Sequence, residues 1–199
     1  MSLIEFIILA IALSFEALIV MHGCATKTPV RLTRGLALSF MLALVNVLML
    51  VGGMAIGNML RFSSVEPSPE STSVGKLFTE TDNLVYLGLM ILVAVRLLFR
   101  SGKKSRQVQP YDISRFSTSL LLSIAIGINT VIVGMALGFR IPFADNLWRA
   151  SVPLFVIMTL LSFLGVMLGR QNKELRARRY TLFAVLLLLA FALKGAFWG

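Results

Sequence analysis

Apolar residues fall in six long stretches along the chain, and short polar connections separate them. The third stretch is the shortest, while the others approach or exceed the roughly 20 apolar residues that a helix needs to cross the hydrocarbon core of a bilayer. The stretches lie at about 3–22, 36–60, 83–99, 117–138, 151–169 and 180–198. The pattern therefore predicts six transmembrane helices.

The composition agrees with a membrane protein and narrows its chemistry. Apolar residues make up 57% of the 199 positions, charged residues only 14%, and the mean hydropathy is +0.87, far from the usual soluble composition. The net charge of +10 lies mostly in the connections, so it indicates membrane orientation rather than nucleic-acid binding. The single cysteine, Cys24, excludes an intramolecular disulfide and a CxxC redox pair.

The basic residues of the connections predict the orientation. The first, third and fifth connections hold three, five and five Lys or Arg residues, whereas the second and fourth hold two each. By the positive-inside rule the odd-numbered connections are cytoplasmic, and both termini lie outside. The start of the chain has no basic residue before its apolar run and carries Glu5. It is not typical of a cleaved signal peptide, so we expect 3–22 to stay as the first span.

The two halves of the chain repeat one another. Leu9–Met21, LAIALSFEALIVM, aligns with Leu122–Gly134, LSIAIGINTVIVG, and Glu16 then matches Asn129. The identical pairs are Leu9/Leu122, Ile11/Ile124, Ala12/Ala125, Ile19/Ile132 and Val20/Val133. Because each half has three helices, the second half starts from the other side of the membrane. The repeat is thus inverted, as in many secondary transporters that bind substrate near the midplane between their halves.

This repeat predicts the fold class, an all-α integral membrane protein with six transmembrane helices in two inverted three-helix repeats. Residues 1–100 are expected to form the first repeat, 101–116 a basic cytoplasmic linker and 117–199 the second repeat. Residues 62–83 are rich in Ser, Thr, Pro and Glu, which predicts an external linker between the second and third helices.

Glycine pairs at matching places predict close helix packing. Gly53 and Gly57 form a GxxxG motif in the second stretch, and Gly165 and Gly169 form another in the fifth. GxxxG allows two helix backbones to approach closely. A single copy is common by chance in apolar segments, but two copies at matching offsets favour a shared packing role.

Three polar side chains are predicted to lie at similar depths. Glu16 lies past the middle of the first stretch, and Asn46 and Asn129 lie near the middle of the second and fourth, at about 1.5 Å of rise per residue. A carboxylate at the bilayer centre costs about 2.5 to 3.5 kcal/mol, which favours a functional role. With Ser14 and Thr130 in support, these oxygens would form a small cation site. Alternatively, the amides and hydroxyls only join helices, through hydrogen bonds worth roughly 0.6 kcal/mol each.

Two basic residues lie inside the predicted spans. Arg96 is near the end of the third stretch and Lys194 near the end of the sixth. Each can extend to its own membrane interface, so neither is expected to pair with Glu16.

The arrangement resembles the bacterial manganese efflux pumps, six-helix proteins of about this length built from two inverted three-helix repeats. The segment Ser14-Phe15-Glu16-Ala17 is similar to the Ser-x-Asp-Ala of that family's first helix. Asn129, with Gly134 five residues on, is similar to its Asp and Gly in the fourth helix. Asn46 stands where the family usually has a carboxylate or an amide. Two aspartates of the family are thus replaced here by Glu16 and Asn129.

The resemblance implies a divergent manganese exporter of the bacterial plasma (inner) membrane. Manganese would be its transported substrate rather than a permanently bound cofactor, and the lipid bilayer its main partner. Manganese prefers hard oxygen ligands, which fits Glu16, Asn46 and Asn129. The chain is not expected to be an enzyme, because it has no HExxH or GxSxG motif and no acidic pair suited to hydrolysis.

Two other functions stay open at the level of sequence. A single carboxylate balances one positive charge, so the exported cargo could instead be a monovalent cation or a small amine. The chain could also be a non-transporting membrane scaffold protein that retains the fold and acts through partners or lipids. A homo-oligomer is compatible with all of these.

Overall fold

The computed structural model describes residues 3–27, 31–63, 72–102, 116–140, 143–171 and 177–197, and these ranges are almost entirely helical. The helices are α1 Leu3–Lys27, α2 Leu32–Ser63, α3 Thr72–Gly102, α4 Phe116–Arg140, α5 Phe143–Arg170 and α6 Ala177–Phe197. The chain is therefore all-helical throughout its described part.

Several helices extend beyond the apolar stretches that predict them. α5 begins at Phe143, eight residues before the predicted 151, and α3 begins at Thr72. The linker predicted over 62–83 is therefore wrong at 62–63, which end α2, and from Thr72 onward, whereas 64–71 lies outside the described residues. The physical reason is that hydropathy marks only the part of a helix that suits lipid, and polar residues can continue the helix beyond it. Of the predicted 101–116 linker, 103–115 likewise lies outside the described residues.

The length and apolarity of the helices identify a multi-pass membrane protein. Within the described residues, four segments are long and apolar enough to cross a membrane, and a fifth apolar segment is shorter. The four are Leu3–Thr26, Leu32–Leu60, Ser117–Phe139 and Leu147–Arg170, and the shorter one is Leu84–Phe99. Spans formed by α3 and α6 stay predictions.

The two sequence halves are interleaved in space. Among the described residues, every helix pair with an appreciable contact joins a helix of the first half to one of the second. The most extensive contacts are those of α2 with α4 and of α1 with α5, followed by α2 with α5 and α3 with α6. Neither half therefore forms a compact unit of its own.

Glycines bring α2 and α4 into backbone contact. A Cβ added to Gly53 would overlap the carbonyl oxygen of Val131, and one added to Gly134 would overlap that of Leu50. The same relation repeats one turn further along both helices, at Gly57 and Gly138. Since residue numbers rise together on the two sides, α2 and α4 run parallel, and at these glycines no side chain separates their backbones.

The α1–α5 pair is built in the same way. A Cβ on Gly165 would lie 2.5 Å from the carbonyl oxygen of Leu18, and one on Gly169 would lie 2.6 Å from that of His22. These two helices are therefore also parallel. In both pairs a larger side chain at the glycines would force the backbones apart.

The contacts between the pairs set the directions of the other helices. α2 runs antiparallel to α5, because its Gly35 lies against Val166 and its Phe40 ring packs edge-on against Phe155 with centroids 5.1 Å apart. α6 runs antiparallel to α1, because Lys194 near its end pairs with Glu5. We call the end of the bundle where α1 and α5 finish and α2, α4 and α6 begin the basic end.

Candidate cation site

A polar layer separates two apolar clusters in the bundle. On the helices of the layer the first cluster lies away from the basic end, where it takes 6–13 from α1, Leu50 and Met54 from α2, and 133–137 from α4. The second lies at the basic end. It comprises Ala17, Val20, Met21, Cys24, Ala25, Leu42, Ala43, Leu122, Ile126, Met158 and Val166. On α1, α2 and α4 the break between the clusters falls at Glu16, Asn46 and Asn129–Thr130. These four residues form the polar layer.

Glu16 and Asn129 touch across the α1–α4 crossing. The Nδ2 of Asn129 donates a 2.6 Å hydrogen bond to Oε2 of Glu16. Asn129 is only 2% exposed, whereas Glu16 is partly buried. A hydrogen bond to an ionised carboxylate is shorter and stronger than one between neutral groups. The contact therefore joins the carboxylate of the first half to the amide of the second.

Asn46 and Thr130 complete the layer on the α2 side. The hydroxyl of Thr130 donates a 2.8 Å hydrogen bond to Oδ1 of Asn46, whose Nδ2 donates in turn to the carbonyl oxygen of Leu42 at 2.9 Å. Both side chains are almost fully buried. Because Thr130 follows Asn129 in α4, the two hydrogen-bonded contacts are adjacent along that helix.

One oxygen of the layer has no hydrogen-bond partner. Oδ1 of Asn129 is buried and receives no hydrogen bond from the described residues. A buried amide oxygen without a donor costs about 1 to 3 kcal/mol. A cation placed between this oxygen and Glu16 would remove that cost.

Ser14, the other predicted ligand, is directed elsewhere. Its hydroxyl is fully buried and donates a 2.6 Å hydrogen bond to the carbonyl oxygen of Ala10 in its own helix. The structure thus brings together Glu16 with Asn129 and Asn46 with Thr130, and places Ser14 within α1, half a turn from Glu16.

The chemistry available at the layer is oxygen coordination around one negative charge. A carboxylate, two amide carbonyls and a hydroxyl are hard ligands of the kind that Mn²⁺ and Mg²⁺ prefer. Among the described residues, no group of three or more His, Cys, Asp or Glu side chains is placed to hold a metal ion. A bound cation would therefore depend on neutral oxygen dipoles for part of its stabilisation.

An ion pair distant from the layer was missed by sequence reasoning. Lys194 Nζ lies 2.6 Å from Oε1 of Glu5 and joins the end of α6 to the start of α1. The sequence predicted only that Lys194 extends to the interface. It offered one usable signal, that Glu5 and Lys194 both lie near the same membrane face in the predicted topology. Arg96 is exposed, in keeping with a position at the bundle surface.

One comparison with known proteins identifies a family for this chain. The family model described as "Mntp: Putative manganese efflux pump" matches residues 70–195. No curated protein and no solved structure matches the chain. The matched range takes in α4 with Asn129 and Thr130, whereas Glu16 and Asn46 precede it. Because the match covers more than half of the 199 residues, the chain belongs to the manganese efflux pump family, whose members are membrane transporters rather than catalysts.

Proposed function

We propose that the chain is a secondary-type exporter of Mn²⁺ that binds the ion at the polar layer. Glu16 and Asn129 are the primary ligands, and Asn46 and Thr130 contribute on the side of the layer next to α2, whereas the Ser14 hydroxyl stays hydrogen-bonded within α1. The observation that carries this proposal is the buried, partnerless Oδ1 of Asn129 beside the carboxylate of Glu16. The layer lies between two apolar clusters, which would keep water and ions from leaking past it.

The proposal includes six spans in two inverted three-helix repeats. Its support is that equivalent residues make equivalent contacts. In the sequence repeat Leu18 matches Val131, and these are the residues whose carbonyl oxygens contact Gly165 and Gly53, the first glycines of the two GxxxG motifs. Two halves related by a two-fold axis would make such paired contacts.

We further propose that the basic end faces the cytoplasm of a bacterial inner membrane and that both termini lie outside. Arg31, Arg34, Arg170 and Arg179 are exposed at that end, as the positive-inside rule requires. A cation bound at the layer would thus enter from the basic end and leave at the opposite one.

The single charge of the polar layer favours a second candidate for the transported cargo. Within the layer Glu16 is the only carboxylate, so a divalent ion would retain one uncompensated charge in a medium of low dielectric constant, which is costly. A monovalent cation or a small amine would be neutralised fully. The two cargoes are distinguished by competition: monovalent ions or amines would displace bound Mn²⁺ from purified protein only if they share its site.

Manganese tolerance of cells tests the proposal. In a bacterial host without its own manganese exporter, the intact chain should restore growth in excess manganese, and Glu16→Gln should not. Ser123→Ala is the matched control. Its hydroxyl is buried in α4, but it donates to the carbonyl oxygen of Ser119 in its own helix. Full tolerance with Glu16→Gln, at equal amounts of membrane protein, would contradict the proposal.

A further inference from the structure

We propose that the moving parts of this transporter are two helix pairs, α1 with α5 and α2 with α4, rather than the two halves of the sequence. This inference rests on the proposed export function and specifies how the same site is opened and closed. Each pair takes one helix from each half, and no half is compact among the described residues. A rocking motion of half against half would therefore have to break the most extensive contacts in the molecule.

The contacts inside each pair are rigid. At Gly53 and Gly134 in one pair, and at Gly165 and Gly169 in the other, backbone lies directly on backbone. Such packing has no long side chains that could change rotamer to absorb a displacement. In the α2–α4 pair, the buried hydrogen bond from Thr130 to Asn46 adds a polar link. Each pair is thus expected to move as one body.

The contacts between the pairs are of a different kind. Toward the basic end, α5 presents side chains to α2: Val166 lies against the backbone of Gly35, and the ring of Phe155 packs against that of Phe40. At the layer, the pairs are joined by the hydrogen bond from Asn129 to Glu16. Side-chain contacts of this kind can separate without deforming either backbone.

The opposite end also has side-chain contacts between the pairs. A small apolar cavity lies there between α1, α2 and α5. Its lining residues are Phe6, Leu9, Ala10, Leu13, Leu50, Ala150 and Leu154. Leu13 and Leu50 are the members nearest the layer, three and four residues from Glu16 and Asn46 along their helices. At the basic end α2 lies against α5 at Gly35 and Val166, and separation of these two residues would admit the ion from that side.

With these two helix pairs as the moving parts, the ion lies between them. Glu16 belongs to the α1–α5 pair, whereas Asn129, Asn46 and Thr130 all belong to the α2–α4 pair. A cation held by Glu16 and Oδ1 of Asn129 would bridge the two pairs. It would favour the closed arrangement over the open one and so link ion binding to closure.

A disulfide across the basic end tests the inference. An ideal Cβ at Gly35 lies 3.6 Å from the Cβ of Val166, within the range of a disulfide. In Gly35→Cys/Val166→Cys, oxidation should reduce manganese uptake into inside-out vesicles by at least about tenfold, because the pairs can no longer part. A thiol reductant should restore uptake. Uptake that continues after complete oxidation would overturn the inference.

A crosslink inside one pair provides the matched control. Thr26 and Arg170 are both exposed and lie beside the Gly169 contact of α1 with α5. Thr26→Cys/Arg170→Cys, joined by a short bifunctional thiol reagent, should keep its uptake within about twofold, since this crosslink lies within one rigid body. Loss of uptake in this crosslinked variant as well would contradict the assignment of α1 and α5 to one rigid pair. The two crosslinks attach to the same last turn of α5, so local damage affects both alike.

A second readout does not depend on the cargo. Cys24 belongs to the buried apolar cluster at the basic end, which takes residues from both pairs, among them Leu42 and Ile126, so we expect separation of the pairs to speed its alkylation. Peptide-resolved mass spectrometry should find Cys24 alkylated at least about tenfold more slowly in the oxidised Gly35→Cys/Val166→Cys protein than in the reduced one. Equal rates would refute the inference. A protein that shows this difference but moves no manganese would refute the proposed function alone.

Discussion

Asn129 and Glu16, which touch through a 2.6 Å hydrogen bond, occupy matching positions in the two repeats of the sequence. Under the proposed two-fold symmetry, matching residues can meet only on the axis. The residues that follow them differ, because Thr130 in α4 matches Ala17 in α1. Thr130 reaches the amide of Asn46, whereas Ala17 lies in the apolar cluster. The polar ligands are therefore displaced from the axis toward α2 and α4.

Replacing Asn129 by Asp should strengthen divalent-ion binding. The second carboxylate would lie beside Glu16 and supply the charge that a divalent ion lacks at this site. We expect the KM for manganese uptake to fall by about tenfold, which corresponds to about 1.4 kcal/mol. The variant also loses the hydrogen bond to Glu16 and places two carboxylates together, so we expect it to be less stable than the intact chain when no divalent ion is bound.

Asn129→Leu is the counterpart of that variant, because it removes both the amide oxygen and the hydrogen bond to Glu16. Uptake kinetics over a range of manganese concentrations compare the two variants with the intact chain. A KM for Asn129→Asp equal to that of Asn129→Leu would show that this position does not contact the ion.

Thr130 variants test the α2 side of the layer. Thr130→Val keeps the shape but removes the hydrogen bond to Asn46. We expect this loss to cost roughly 0.6 kcal/mol of stability and to raise the KM for manganese, because Asn46 is no longer oriented. Thr130→Ser keeps the hydroxyl and should behave like the intact chain. Thermal unfolding in detergent and uptake kinetics measure the two effects, and identical Val and Ser variants would contradict the role given to this hydroxyl.

Adjacent glycines on α2 provide a matched test of helix packing. A Cβ at Gly53 would overlap the backbone of Val131, whereas Gly52 has open space around its Cβ position. Gly53→Ala should destabilise the protein by about 1 to 3 kcal/mol through overpacking. Gly52→Ala should be neutral or stabilise it by about 0.5 to 1 kcal/mol, since alanine favours the helix.

Thermal unfolding of both glycine variants in the same detergent gives the comparison. If the two variants unfold at the same temperature, the close approach of α2 to α4 is not a source of stability in the membrane protein.

The ion pair of Lys194 with Glu5 should contribute little. The Lys194 side chain is 58% exposed, and exposed pairs are worth about 0 to 1 kcal/mol because solvent screens the charges. Lys194→Gln is therefore expected to lower the unfolding temperature only slightly, and the difference should shrink at high salt. A large loss of stability that persists at high salt would show that this contact closes the end of the bundle more firmly than its exposure suggests.

The sequence predicted the helices better than their arrangement. Apolar stretches located all six helices, but the polar composition before residue 83 concealed that α3 begins at Thr72. The helices are apolar on nearly all sides, so periodicity could not show which face of α1 meets α5. The repeat placed Glu16 and Asn129 at matching positions, yet their contact depends on the rotation of two helices, and one residue of sequence rotates a helix by about 100°. The bond from Thr130 to Asn46 depends on the α2–α4 register, which packing decides.

The most direct test of the account is manganese uptake into energised inside-out vesicles, with the intact chain compared with Glu16→Gln at matched expression and Ser123→Ala as the control. We predict that the intact chain and Ser123→Ala accumulate manganese and that Glu16→Gln does not. Accumulation by Glu16→Gln equal to that of the intact chain, or none by the intact chain beside a working exporter, would contradict manganese export through the polar layer.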